Sequence, residues 1–152
     1  MKYLRPLTVL LLLAATLIIN SYTADAEDSK QQVKEKEKKK EGPREVDAEE
    51  IWLGMDRQTQ FALIDIRPSS DYDAEHIRGA MSLPLAQLDG DTLFDLVHDK
   101  RKSVVFYCDD EKSMDVFLAA TKAAHFGYKK IYEYQQGLQD WKNRGFATTR
   151  SN

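Results

Sequence analysis

Residues 103–127 read SVVFYCDDEKSMDVFLAATKAAHFG, and their reading decides the fold. Val104 to Tyr107 are β-branched or aromatic and uncharged, which predicts a strand over Ser103–Tyr107. Cys108 follows at once, then a polar run. Met114, Phe117, Leu118 and Thr121 then fall at helical spacing, and Gly127 stands just past the expected helix end. The stripe Met114, Phe117, Leu118 is expected to face the core. If the sheet is parallel, binding sites lie beyond the carboxyl ends of its strands, and Cys108 occupies such an end.

Working outward, Phe61 to Ile66 is an apolar run broken only by Asp65, as suits a strand buried on both faces. Pro68 and Ser69-Ser70 end it. Met81 to Leu85 is a shorter strand closed near Pro84, which cannot donate to a ladder. Lys130 to Tyr134 is another. Between them, Asp47 caps a helix through Met55, with Glu49 and Glu50 favourably placed in its first turn. Leu88, Leu93, Phe94, Leu96 and Val97 form a helix ending before Lys100, and Leu138, Trp141 and Lys142 a last one stopped by Gly145. Strands alternating with helices predict an α/β fold: a central parallel sheet of about five strands with helices on both faces.

Residues 1–26 have the form of an export signal. Lys2 and Arg5 precede the apolar run Leu7–Ile19, and Ala24-Asp25-Ala26 supplies a small-x-small cleavage pattern, which puts the cut after Ala26 and the protein in the periplasm or outside the cell. An uncleaved run would anchor the chain to a membrane, but about 13 residues are short of the ~20 needed to cross one. Residues 27–43 are a charged linker: six lysines and five acids with Val33 as the one aliphatic side chain cannot bury enough apolar surface to offset ordering. Residues 44–150 are expected to be one domain, with 14 basic and 19 acidic groups. The whole chain carries a net charge of −3, which excludes the basic footprint of a nucleic-acid binder. One cysteine excludes an internal disulfide and a zinc site of several thiolates. The three histidines show no paired-ligand spacing, so no metal site is expected. No phosphate-cradling glycine motif is present.

Residues 62–84, ALIDIRPSSDYDAEHIRGAMSLP, resemble the first signature of the rhodanese-like domain family: Asp65-x-Arg67, Asp71-Tyr72, His76-Ile77-x-Gly79-Ala80 and Pro84 stand at the spacing of that signature. Residues 104–108, VVFYC, resemble the strand that delivers the family's active-site cysteine, and Gly137, Trp141 and Gly145 its closing signature. The resemblance covers about residues 44–148. It implies a sulfurtransferase that needs no cofactor. Cys108 would carry sulfane sulfur as a persulfide, taken from a small-molecule or protein donor and passed to a thiol acceptor.

The implied active-site loop is Asp109, Asp110, Glu111, Lys112, Ser113 and Met114. A thiolate in such a loop is stabilised when main-chain N–H groups point at it, lowering the thiol pKa from about 8.5. Lys112 and Ser113 are auxiliary donors. The loop departs from the family in having neither Gly nor Arg, and its three carboxylates oppose a thiolate. At ~6 Å each like-charge pair costs about 1.4 kcal/mol before screening, with Lys112 offsetting one. Thiosulfate, a dianion, is therefore not the expected donor. The related phosphatases and arsenate reductases require an Arg after the cysteine, which residues 109–118 lack.

Other readings fit the same residues. Cys108 could be a buried apolar filler and the domain an idle binding module, or the lone thiol could be a redox sensor. Asp65 and Arg67 are expected to form a structural ion pair, His76 to be a hydrogen-bonded structural residue, and Trp52 and Trp141 to pack in the core or against helices. His98 and His125 are expected at the surface near helix ends.

Overall fold

The computed structural model describes residues 43–57, 61–109 and 114–151. The expected export signal, the linker up to residue 42 and loop residues 110–113 lie outside them. Five strands, β1 (Arg44–Glu45), β2 (Phe61–Asp65), β4 (Met81–Ser82), β5 (Ser103–Tyr107) and β6 (Lys130–Tyr134), form one sheet in the order β1-β6-β5-β2-β4. Every pairing in it is parallel. β5 is the middle strand, flanked by β2 and β6 in a register that aligns Asp65, Tyr107 and Tyr134 at the carboxyl edge. A separate antiparallel pair joins β3 (His76–Ile77) to β7 (Thr148–Thr149).

Alternation along the central strands divides the core in two. Ala62, Ile64, Val104, Phe106 and Ile131 face one side, covered by Leu93 and Val97 of α3 (Gly90–Val97) and by Val116, Ala119, Ala120 and Ala123 of α4 (Asp115–His125). Leu63, Val105, Tyr107 and Tyr134 face the other, against Ala48 and Ile51 of α1 (Ala48–Asp56) and Leu138 and Trp141 of α5 (Gly137–Asn143). Both faces of the sheet are thus buried, which is why these strands read as continuous apolar runs.

Local chemistry sets the boundaries. Asp47 caps α1 in a reciprocal box with Glu50, and Asp89 caps α3 with Thr92. Gly127, at φ +96°, closes α4 while the Tyr128 N–H returns to the Ala123 carbonyl. The strand at Met81 is shorter than the five residues expected. Past Ser82 the chain still donates from Leu83 to Asp65 and from Leu85 to Ile66, and Pro84 then starts a single 3-10 turn over Leu85–Gln87. Helix α2 (Ser69–Ala74) stands where the sequence pattern of Pro68 and Ser69-Ser70 predicts only the end of a strand. It buries no residue, so no apolar periodicity announces it.

One expectation is reversed. Met114, Phe117 and Leu118 are 71%, 50% and 48% exposed, and the buried face of α4 is Val116, Ala119, Ala120 and Ala123. Three alanines let the helix axis approach the sheet closely, and the larger side chains are left on the outside. Trp141 is buried, whereas Trp52 is 44% exposed and stacks on Phe146 at 5.7 Å between ring centroids. His98 and His125 are exposed at helix ends, His98 with φ +60°. No helix among the described residues is long and apolar enough to cross a membrane.

Candidate active site

Cys108 leaves the carboxyl end of the middle strand and is 5% exposed, in the core cluster shared with Val116 and Ala119 of α4. Its main chain is held from the opposite side of the sheet. The Leu138 N–H donates to the Cys108 carbonyl at 2.9 Å and the Gln139 N–H to the Asp109 carbonyl at 3.0 Å, so the first turn of α5 grips the cysteine segment. Gly137 makes this approach possible. Its φ is +66°, and a Cβ there would lie 2.5 Å from the Cys108 carbonyl oxygen and 2.7 Å from that of Asp109. The residue carried by the closing signature is thus a backbone contact to the cysteine.

Asp65 and Arg67, at the end of neighbouring β2, form the structural pair that was expected, and the pair reaches further than the sequence shows. Asp65 is fully buried. It accepts from Arg67 Nε at 3.0 Å, from Nη2 at 2.7 Å and from the Arg67 main-chain N–H at 3.0 Å, and Tyr107 Oη also hydrogen-bonds to it. Arg67 Nη2 donates again to the Glu75 carbonyl at 2.7 Å, and Nη1 donates to Asp109 Oδ1 at 2.9 Å. Burial works against the Arg67 charge, but Asp65 and Asp109 more than offset it and its pKa is raised. Burial, with Asp65 beside it, likewise pushes the Tyr107 hydroxyl well up, so it stays protonated while accepting from the Ile77 N–H at 3.2 Å.

The electrostatics therefore differ from the expected loop, in which Lys112 was set against three carboxylates. Asp109 is paired with Arg67, 42 residues away in sequence, and its charge is offset from outside the loop. Asp110, Glu111, Lys112 and Ser113, and with them the expected main-chain cradle, lie outside the described residues. Met114 is the exposed residue immediately before α4.

Beside Asp109 opens a polar cleft of about 430 Å³, lined by Arg67, Asp71, Glu75, Asp109, Gln139 and Lys142 with Ala74 and Leu138. Glu75 accepts from Lys142 Nζ at 2.6 Å and from Thr148 Oγ1 at 2.9 Å, which holds its carboxyl below the usual range. His76 is buried. Its Nδ1 lies 2.7 Å from the Tyr72 carbonyl and its ring stacks on Tyr72 at 3.7 Å. Gly79, at φ +86°, turns the chain towards β4. Among the described residues no group of three or more His, Cys, Asp or Glu is placed to hold a metal ion. Glu75, Gln139 and Lys142 were not recognisable as site residues. Lys142 meets Glu75 across 67 positions, a pairing that no spacing rule encodes.

Comparison with known proteins bears on the fold and the family. The thiosulfate sulfurtransferase GlpE of Coxiella burnetii is 28% identical over 86 residues, covering 57% of this chain and 76% of that protein. A helix-turn-helix-type transcriptional regulator of Mycobacterium tuberculosis is 30% identical over 88 residues, 57% of this chain but 36% of the regulator, and a Synechocystis protein is matched over 50% of its length. The chain thus spans about a third to a half of those two relatives. The solution structure of a rhodanese-like domain from Anabaena is 25% identical, with a TM-score of 0.62 over 71% of this chain and 79% of that one. A Bacillus halodurans protein shares the fold at a TM-score of 0.67 and 21% identity, covering 80% of this chain and 86% of its own. The family model for the rhodanese-like domain matches residues 47–144, and the chain belongs to that family.

Proposed function

We propose that the protein is an exported sulfurtransferase that carries sulfane sulfur as a persulfide on Cys108. The observation that carries this reading is the position of Cys108 at the carboxyl end of the middle strand, its main chain gripped by α5 and a polar cleft opening beside its neighbour Asp109. In the first step the Cys108 thiolate attacks the outer sulfur of a donor R–S–S⁻. A new sulfur–sulfur bond forms, the donor's own bond breaks, and RS⁻ leaves with the electron pair. An acceptor thiolate then attacks the terminal sulfur of Cys108–S–S⁻, takes it as R′–S–S⁻ and returns Cys108 to the thiolate. No cofactor enters this cycle. Export is supported by the cationic start, the apolar run Leu7–Ile19 and the cleavage pattern at Ala24–Ala26.

Intact-mass spectrometry of the protein recovered from an exporting host tests both parts. The chain is expected to begin at Glu27 and, after incubation with cysteine persulfide, to gain the mass of one sulfur atom, lost on adding a thiol acceptor and absent in Cys108→Ser. A chain that never gains that mass is not a sulfur carrier, and one that keeps residues 1–26 is anchored instead of released.

The low exposure of Cys108 favours a second reading, a binding module in which the thiol is a core residue. That reading predicts no alkylation of Cys108 by iodoacetamide at neutral pH in the folded protein, whereas the carrier reading predicts prompt alkylation.

A further inference from the structure

Four of the five N–H bonds of the Arg67 guanidinium are engaged, and three of those four serve the fold: Nε–H and one Nη2–H bind buried Asp65, and the other Nη2–H binds the Glu75 carbonyl. Nη1 alone is left for the cleft. A charge-assisted N–H bond from a guanidinium is a contact that binds an oxygen of an oxyanion. In this protein Asp109 Oδ1 sits on Nη1 at 2.9 Å. Asp109 is not locked there by burial, since its side chain is 66% exposed, and both residues line the cleft. The charges of the lining agree with this picture. Asp65, Asp71, Glu75 and Asp109 outnumber Arg67 and Lys142 by two, so the cleft and the wall behind it stay net negative even with Arg67 shared between Asp65 and Asp109.

We propose that Asp109 is a specificity-determining latch: its carboxylate occupies the position on Arg67 that the oxygens of an anionic sulfur donor would take. The cleft then rejects thiosulfate and accepts neutral or cationic donors, such as a hydropersulfide that bears an ammonium group. The donor class rests on the sulfurtransferase reading above. The latch itself rests only on the Arg67–Asp109 contact and the cleft. With Asp109 removed, the second Nη1 N–H is released beside the first and one negative charge leaves the cleft.

Sulfate, an unreactive tetrahedral dianion, is the probe, titrated at constant ionic strength into wild type, Asp109→Ala, Asp109→Asn and Asp99→Asn. Affinity is read by calorimetry and the site by the side-chain Nε–Hε resonance of Arg67. Asp99→Asn removes the same charge far from the cleft, where Asp99 pairs with Arg101. Asp109→Asn keeps an oxygen for Nη1, so it covers the case of a loop that shifts when the side chain is cut to alanine. The latch predicts at least about a tenfold gain in sulfate affinity in one or both Asp109 variants, equivalent to about 1.4 kcal/mol. The Arg67 resonance is expected to move with it, and Asp99→Asn is expected to gain nothing. No gain in either Asp109 variant, an equal gain in Asp99→Asn, or a gain that leaves the Arg67 resonance unmoved overturns it. Sulfur transfer is not read here, so an inert Cys108 would end the sulfurtransferase reading and leave the latch standing.

Discussion

At the scale of single residues, the cysteine owes its position to a glycine 29 positions later. Gly137 combines a left-handed backbone with a carbonyl oxygen 2.5 Å from where its Cβ would be, and that oxygen belongs to Cys108. Backbone cannot yield as a flexible side chain can, so Gly137→Ala is expected to cost about 3 kcal/mol in unfolding free energy measured by urea titration. The same variant is expected to lose persulfide formation even at temperatures where it remains folded, because the Leu138 and Gln139 N–H groups can no longer reach the carbonyls of Cys108 and Asp109. A variant as stable as wild type would show that the grip of α5 on the cysteine segment is incidental. Tyr107 and Asp65 act at the same scale: a buried carboxylate in a strand needs donors, and it finds them in Arg67 and the tyrosine of the next strand.

At the scale of elements, α4 has two apolar faces, and the choice between them follows from size. Alanines at 119, 120 and 123 allow close packing on Val104 and Phe106, while Phe117 on that side would hold the helix off the sheet. The consequence is measurable as a contrast within one turn. Val116→Ala, at a fully buried position, is expected to lower stability by about 1–3 kcal/mol. Phe117→Ala, although it removes far more hydrocarbon, is expected to change stability by less than about 0.5 kcal/mol. If the two costs were reversed, the face of α4 assigned to the core would be wrong. Periodicity alone could not make this assignment, because Met114, Phe117 and Leu118 match a helical stripe as well as Val116, Ala119, Ala120 and Ala123 do.

At the scale of the whole molecule, the carboxyl edge of the sheet is closed by contacts between segments far apart in the chain. Glu75, just after α2, takes Lys142 of α5 and Thr148 of β7, and these hydrogen bonds hold its carboxyl below the usual range. A depressed pKa in the folded state means that the unfolded chain binds the extra proton. The contribution is therefore complete above the ordinary carboxylate value and is lost as pH falls through the lowered folded one. Urea midpoints measured from neutral pH downward are expected to fall more steeply for wild type than for Glu75→Gln, the two curves converging at the acid end. Parallel curves would mean that the contact is screened to nothing by solvent.

Much of this molecule was legible in its residues. Local patterns located β2, β5 and β6 and both capped helices, and the ordered spacing around Asp65, His76, Gly79 and Gly137 pointed to the family. These features are encoded within a few positions of one another, where backbone propensity, capping and alternation act. What tertiary structure alone decided lies between segments: which face of α4 meets the sheet, and that Arg67 pairs with Asp109 across 42 positions and Lys142 meets Glu75 across 67. Those pairings depend on the distance and angle at which separate elements come together, and such information is present in no short stretch of chain.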